Sequence, residues 1–327
     1  MLQNRVYQWW FQVAMGVLIL FYGVSAKADA PIKRTQAPAY FRVMLGEIEV
    51  TALLDENSPW PENVDNLFPS LSADQRRALH STTHLQPKYD FSTIAFLVNT
   101  GKKLILIDGG GNGSGPGYGQ LFPHLKAAGY TAEQVDEIYI THMHPDHIGG
   151  LLMGDQIAFP NATVFADAHE LPQWENAAAK NNATAKSIVQ KIAPYIRAKR
   201  FQTFDGDTQF PSGLQAIASH GHTDGHSFYS IESQGQKMVF WGDFVVNDKV
   251  QLEMPELAPP GEKDVKTGIA LRQREYSDAS KKAYLIAGAH FAFPGIGRIR
   301  DLGGKYIWVP IDYASIPAKP NLPVTAN

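Results

Sequence analysis

The stretch THMHPDHIGG, residues 141–150, places three of the chain's 11 histidines and one aspartate within six positions. Side chains two apart on extended backbone project from the same face. His142 and His144 at a strand end can therefore reach one cation at the roughly 2.0–2.1 Å of an imidazole–zinc bond. Pro145 breaks the strand and turns the chain, which aims Asp146 and His147 elsewhere, at a second cation beside the first. Four ligands do not complete two sites. Three further stretches carry candidates: SHGHTDGHS at residues 219–227, FWGDF around Asp243 and AGAHF around His290. Each follows a predicted strand, so a loop would carry it to one sheet edge and add one histidine per metal and a bridging carboxylate. A lone histidine past a strand is more often a surface or core residue, so the set carries the inference. His220 and His226 read equally as supports of a ligand or as surface residues. His80, His84, His124 and His169 lack partner spacing and read as structural or exposed.

The elements that must position these residues are legible as apolar runs. Residues 42–54 (RVMLGEIEVTALL) are β-rich with a turn at Leu45-Gly46. A short helix is predicted around residues 72–80, with Ser72 as N-cap and Gln75 at the capping-box spacing. Residues 93–108 and 227–243 are two hairpins, turning at Asn-Thr-Gly and Ser-Gln-Gly, and each ends on an aspartate, Asp108 and Asp243. They imply an internal two-fold repetition of architecture. A glycine-rich run (GGGNGSGPGYG) follows Asp108. Residues 121–128 read as helix, 137–140 and 163–166 as strands, and 168–199 as helix interrupted at Pro172 and Pro194. Strands at 214–219 and 283–287 end near His220 and His290. Strands alternating with helices and hairpins imply α/β layers, and without a long linker residues 29–327 read as one domain.

Of 327 residues, 44% are hydrophobic, 11% aromatic and 19% charged, the balance of a globular protein with a sizeable core. The net charge of −3 and the lack of a basic stripe argue against a nucleic-acid partner. With no cysteine there is no disulfide, thiol nucleophile, lipid-modified cysteine or Cys-ligated zinc. Residues 1–28 combine Arg5, an apolar run at 11–24 and the small-x-small site Ala26-Lys27-Ala28, the pattern of a cleaved signal peptide. The apolar run is shorter than the roughly 20 residues of a membrane span. The expectation is export to the periplasm or medium, with no membrane insertion after cleavage.

The order HxHxDH, GHTxGH, strand-end Asp and late His resembles the metallo-β-lactamase superfamily of αββα hydrolases, from about Phe41 to Tyr313. Within it the segments FLVNTGKKLILIDGG, LKAAGYTAEQVDEIYITHMHPDHIGGL, AFPNATVFAD, ASHGHTDGHS, ESQGQK and HFAFPGIGRIR are similar to the methyl parathion hydrolase group. The resemblance implies a four-layer αββα sandwich. It implies that His142, His144 and His222 hold one ion, that Asp146, His147 and His290 hold the other, and that Asp243 bridges them. Asp108, in LIDGG, would orient a ligand ring, and Trp174 falls where the group has a pocket aromatic. The implied cofactor is two divalent ions, zinc first, with manganese, cobalt or iron as alternatives. The implied chemistry is attack by a metal-bridging hydroxide, with Asp243, Asp146 and Asp108 as its carboxylates. Substrates would be small molecules: aryl phosphotriesters, esters or lactones, with N-acyl homoserine lactonase and glutathione thioester hydrolase as alternatives. A homodimer is left open. Two departures concern the pocket: the run after Asp108 is glycine-rich where the group carries bulkier apolar residues, and residues 176–186 (NAAAKNNATAK) are shorter and more polar than their counterpart.

Overall fold

The computed structural model describes residues 30–59, 67–83, 90–112 and 119–316. The predicted signal peptide, His84, the His80 side chain and the middle of the glycine-rich run lie outside the described residues. The described residues from 38 to 316 cluster as one compact unit.

The first sheet contains β1 (Tyr40–Leu45), β2 (Ile48–Pro59), β3 (Asp90–Asn99), β4 (Leu104–Ile107) and β5 (Glu137–Tyr139). A separate ribbon, β6 (Leu152–Met153) with β7 (Gln156–Ile157), precedes the last two strands of that sheet, β8 (Thr163–Asp167) and β9 (Phe201–Phe204), and the order is β1-β2-β3-β4-β5-β8-β9. The second sheet runs in chain order: β10 (Thr208–Gln209), β11 (Gln215–Ala218), β12 (Ser227–Ser233), β13 (Gln236–Gly242), β14 (Leu285–Gly288), β15 (Ile296–Asp301) and β16 (Tyr306–Pro310). The two sheets repeat one plan. In each, an antiparallel hairpin (β3–β4, β12–β13) is followed by a parallel neighbour (β5, β14), and an aspartate stands at the end of the hairpin.

Seven α-helices accompany the strands among the described residues: α1 (Ala73–Thr83), α2 (Leu121–Ala127), α3 (Pro145–Ile148), α4 (Glu170–Ala179), α5 (Ala183–Arg197), α6 (Asp248–Gln251) and α7 (Val265–Lys282). Alternate β3 residues explain the layering. Ile94, Phe96 and Val98 pack toward Tyr229, Ile231, Phe240 and Ala287 of the second sheet, while Ala95 and Leu97 pack with Leu121, Leu125, Ile188 and Ile192 of α2 and α5. Because both faces are covered, such strands read as continuous apolar runs. On the far side Trp241 and Ile286 meet Leu271 and Tyr276 of α7. The result is the expected αββα sandwich.

Local chemistry sets the helix limits. Ser72 and Gln75 exchange both capping-box hydrogen bonds, at 2.9 and 3.2 Å, ahead of α1. The break predicted at Pro172 and Pro194 lies instead at residues 180–182. Pro172 sits in the first turn of α4, where a missing N–H costs little, and Pro194 is carried inside α5. Asn181 takes the left-handed conformation (φ 65°), and the Asn182 side chain caps α5 by accepting from Ala185 N at 2.9 Å.

Candidate metal centre

The strand ends deliver the predicted residues to one place. β4 runs into Asp108, whose φ of 61° is rare for a non-glycine residue. Its carboxylate accepts from Thr141 N, Thr141 Oγ1 and His147 Nδ1, each at 2.8 Å. β5 runs into Thr141 and His142. Pro145 is the first residue of the one-turn α3, so Asp146 and His147 leave from a helix rather than from the extended chain that carries His142 and His144. Gly149 and Gly150 let this turn press against the loop after Asp108. A Cβ on Gly150 would stand 2.1 Å from Gly109 O, and one on Gly149 2.5 Å from Gly111 C. In the second sheet Gly242 adopts φ 51° at an irregularity of the β13–β14 pairing, where a Cβ would lie 2.8 Å from both His226 Nε2 and Thr141 Oγ1. That turn aims Asp243 at the histidines.

Two groups of ligand atoms result, and they share Asp243. In the first, His144 Nδ1 lies 2.9 Å from His142 Nε2 and 3.0 Å from His222 Nε2, while Asp243 Oδ2 lies 3.6 Å from His142 Nε2 and 3.4 Å from His222 Nε2. In the second, Asp243 Oδ1 lies 2.9 Å from His147 Nε2 and 2.8 Å from His290 Nε2. Asp146 Oδ2 stands 3.6 and 3.4 Å from the same two nitrogens. Four ligands held tetrahedrally about 2.1 Å from one zinc ion are about 3.4 Å apart, so both groups are spaced as coordination shells.

The far sides of the rings fix their tautomers. His147 Nδ1 donates to Asp108, and His290 Nδ1 donates to Ser92 O at 2.8 Å. Thr141 Oγ1 gives its proton to Asp108 and accepts from His142 Nδ1 at 3.1 Å. Nε2 of each ring therefore faces the shared carboxylate. His147 Nε2 and Asp243 Oδ1 are both sealed from solvent and make no aligned hydrogen bond despite lying 2.9 Å apart. Buried polar atoms left in that state are costly. Two lone-pair donors converging on a common point are what a divalent cation requires, so the residues fit a pair of ions.

Electrostatics agree. Burial, followed by the neighbouring rings, holds His142 well below the usual histidine range and takes His144 down to about 3, so both are neutral donors at neutral pH. Burial disfavours charge on His147 and His290 too, but Asp243 and Asp146 outweigh it and draw positive charge there. Burial likewise opposes ionisation of Asp243, and His147, His290 and His142 overcome it, holding its carboxyl well below the usual range. The negative well that attracts protons would attract cations.

Several supporting residues carry little mark in the sequence. Glu170, fully buried at the start of α4, accepts from Met143 N (2.8 Å), Trp174 Nε1 (3.2 Å), Gly225 N (3.1 Å), Gln173 Nε2 (3.1 Å) and Thr223 Oγ1. It ties the loop of His142 and His144 to the loop of His222. Its only trace in the sequence is an acid at a helix start. Asp55 accepts from Gly111 N (2.7 Å), Gly119 N (3.1 Å) and Leu121 N (2.8 Å), holding both ends of the glycine-rich run. His226 accepts from Asp243 N at 3.2 Å and meets Ser219 Oγ at 2.8 Å, so it supports the bridging residue. Trp174 lies against His144, with ring centroids 5.5 Å apart, and also packs on the first core. His124 bonds Leu54 O at 2.6 Å, away from the ligands. His169 and His220 meet at Asp167, in a group sharing no residue with the other two.

A sequence profile described as "Metallo-beta-lactamase superfamily" matches residues 89–288. The solved structure of the hydrolase AbOPH, of the beta lactamase superfamily, is 34% identical, covering 86% of this chain and 100% of its own, with a TM-score of 0.80. AidC, a dizinc quorum-quenching lactonase solved with a product, is 23% identical over 85% and 99% of the two chains, with a TM-score of 0.79. The hydroxyacylglutathione hydrolase of Rhodobacter capsulatus is 26% identical over 207 residues, 62% of this chain and 69% of its own.

Proposed function

The chain belongs to the metallo-β-lactamase superfamily of hydrolases, and on that premise we propose that it is a dinuclear hydrolase of small, uncharged ester-type substrates, with aryl phosphotriesters and aryl esters first among them. The observation that carries this reading is Asp243, whose two oxygens each face a separate His/Asp group. Two divalent ions held there, zinc in the first instance, would supply Lewis acidity and a hydrolytic water acidified toward neutrality. His142, His144 and His222 would hold one and Asp146, His147 and His290 the other. Asp108, Thr141, Ser92 and His226 keep the rings and the bridging carboxylate in register. Trp174 offers a flat apolar wall beside His144 for an aryl or acyl group.

The leaving group bears on the choice of substrate. Asp108, His226 and Glu170, the titratable side chains packed behind the ligands, are all spent on hydrogen bonds that position a ligand or its loop. A substrate whose leaving oxygen departs without protonation, such as an aryl oxide, suits that arrangement. An acyl homoserine lactone is the second reading, favoured by the likeness of fold to a dizinc lactonase. A glutathione thioester suits the chain less well. Arg298, the first basic residue after His290, lies on β15 beyond the Gly297–Ile286 pair and donates to Ala283 O, toward the strand end away from His290. Export through residues 1–28 is part of the proposal, and N-terminal sequencing of exported protein should begin near Asp29.

The test is a side-by-side assay of the zinc-loaded protein on an aryl phosphotriester, an aryl ester and an acyl homoserine lactone. The aryl substrates should turn over fastest. A dominant lactone rate would replace the leading reading with the second, and turnover of none of the three would overturn both.

A further inference from the structure

A third group of ligand-type side chains lies where the two sheets' loops meet. β8 ends on Asp167, which is fully buried. His169 follows two residues later, just before α4, and the loop after β11 brings in His220 from the other sheet. Candidate ligand atoms of the three all lie within 4.8 Å of one another. Asp167 Oδ1 is 2.7 Å from His169 Nδ1, Oδ2 is 3.5 Å from His220 Nε2, and the two rings are 5.2 Å apart. The carboxylate is fixed independently of the imidazoles, accepting from His169 N at 2.8 Å and Gly206 N at 3.2 Å. His220 Nε2 is sealed from solvent and faces Asp167 Oδ2 at 3.5 Å without the alignment of a good hydrogen bond. A buried nitrogen of this kind, aimed at an anchored carboxylate beside a second imidazole, is poorly served by a hydrogen-bonded clamp. It is well served by a cation.

We propose that Asp167, His169 and His220 form a third metal site, separate from the dinuclear pair, for a borderline divalent ion such as zinc. Two imidazoles and one carboxylate are donors such ions accept, and three protein ligands leave a position for water. The His169 side chain is 53% exposed, so the ion can enter without disturbing the core. The position gives such an ion a consequence. His220 is two residues before His222, and His169 immediately precedes Glu170, which grips Met143, Thr223 and Gly225. An ion here would pin the loop of residues 219–226 to the start of α4, the two segments that position the first ligand group.

The test counts zinc per chain at rising free zinc for the wild type, His169→Ala and His220→Asn, with thermal unfolding followed in parallel. Wild type should bind one ion more than H169A, and zinc above that needed to fill the shared sites should raise Tm in wild type but not in H169A. H220N should match H169A. The difference of one ion is read whether or not the dinuclear pair fills, so its outcome is separable from that of the proposed function. Equal stoichiometry in wild type and H169A would overturn the site, and so would a zinc-dependent Tm rise that H169A retains. Because His169 is exposed and touches neither ligand group, its replacement keeps the test decisive should H220N fail to fold.

Discussion

Replacing Glu170 with Gln probes how the first ligand group is held. In the native chain five donors converge on the carboxylate, with Met143 N and Trp174 Nε1 on Oε2 and Gly225 N, Thr223 Oγ1 and Gln173 Nε2 on Oε1. An amide offers one oxygen. Whichever way it turns, at least two buried donors face an NH2, at about 1–3 kcal/mol each. Burial raises the Glu170 pKa despite hydrogen bonds from Thr223, Met143, Trp174 and Gly225, so the neutral amide recovers part of a desolvation cost and the net loss belongs in the lower half of that range. A destabilisation of about 3 kcal/mol corresponds to a Tm lower by about 6–12 °C at the 2–4 °C per kcal/mol of domains near this size. Metal binding should change asymmetrically. Glu170 touches the residue between His142 and His144 and, in the loop after His222, Thr223 and Gly225, but no hydrogen bond joins it to the Asp146, His147 and His290 set. One ion should therefore be lost to a competing chelator at roughly 10–100-fold lower concentration, the usual effect of removing a partner behind the ligands. Cobalt-substituted protein, followed by its visible spectrum during chelator titration, resolves the two losses. Wild-type stability with two unchanged losses, or weakening of the other ion instead, would refute the argument.

Two further outcomes follow from the same geometry. Asp243→Ala removes the one group common to both ligand sets; bound metal should fall by at least one ion per chain and hydrolysis should vanish, and turnover near the wild-type rate would contradict the bridging role. Asp55→Ala leaves the N–H groups of Gly111, Gly119 and Leu121 without their carboxylate; with water replacing part of the loss, stability should drop by about 3 kcal/mol. Proteolysis between residues 109 and 119 should then accelerate while metal content stays at the wild-type value, and an unchanged cleavage rate would show that Asp55 does not hold the loop.

What was legible in the sequence divides along the range of the interactions. His142, His144, Asp146 and His147 are adjacent, so local backbone rules suffice: extended chain for the first pair, a proline-initiated turn for the second. His222, Asp243 and His290 were reachable because each ends an apolar run, and strand ends in a layered α/β fold gather on one edge. Glu170 and Asp55 were hidden for the opposite reason. Their partners are mostly backbone N–H groups far away in sequence, and a backbone amide leaves no mark on residue type. SHGHTDGHS shows the boundary most clearly. His220 stands two residues before His222 and His226 four after it, and nothing in the nonapeptide separates their roles. The separation comes from neighbours in space. Gly242, which has no side chain to fill the gap, lets β13 approach until Asp243 N reaches His226 at 3.2 Å, while His220 faces Asp167 across the junction of the two sheets. A histidine's task in this protein is therefore set by which strand end arrives opposite it, and that is fixed only when the sandwich closes.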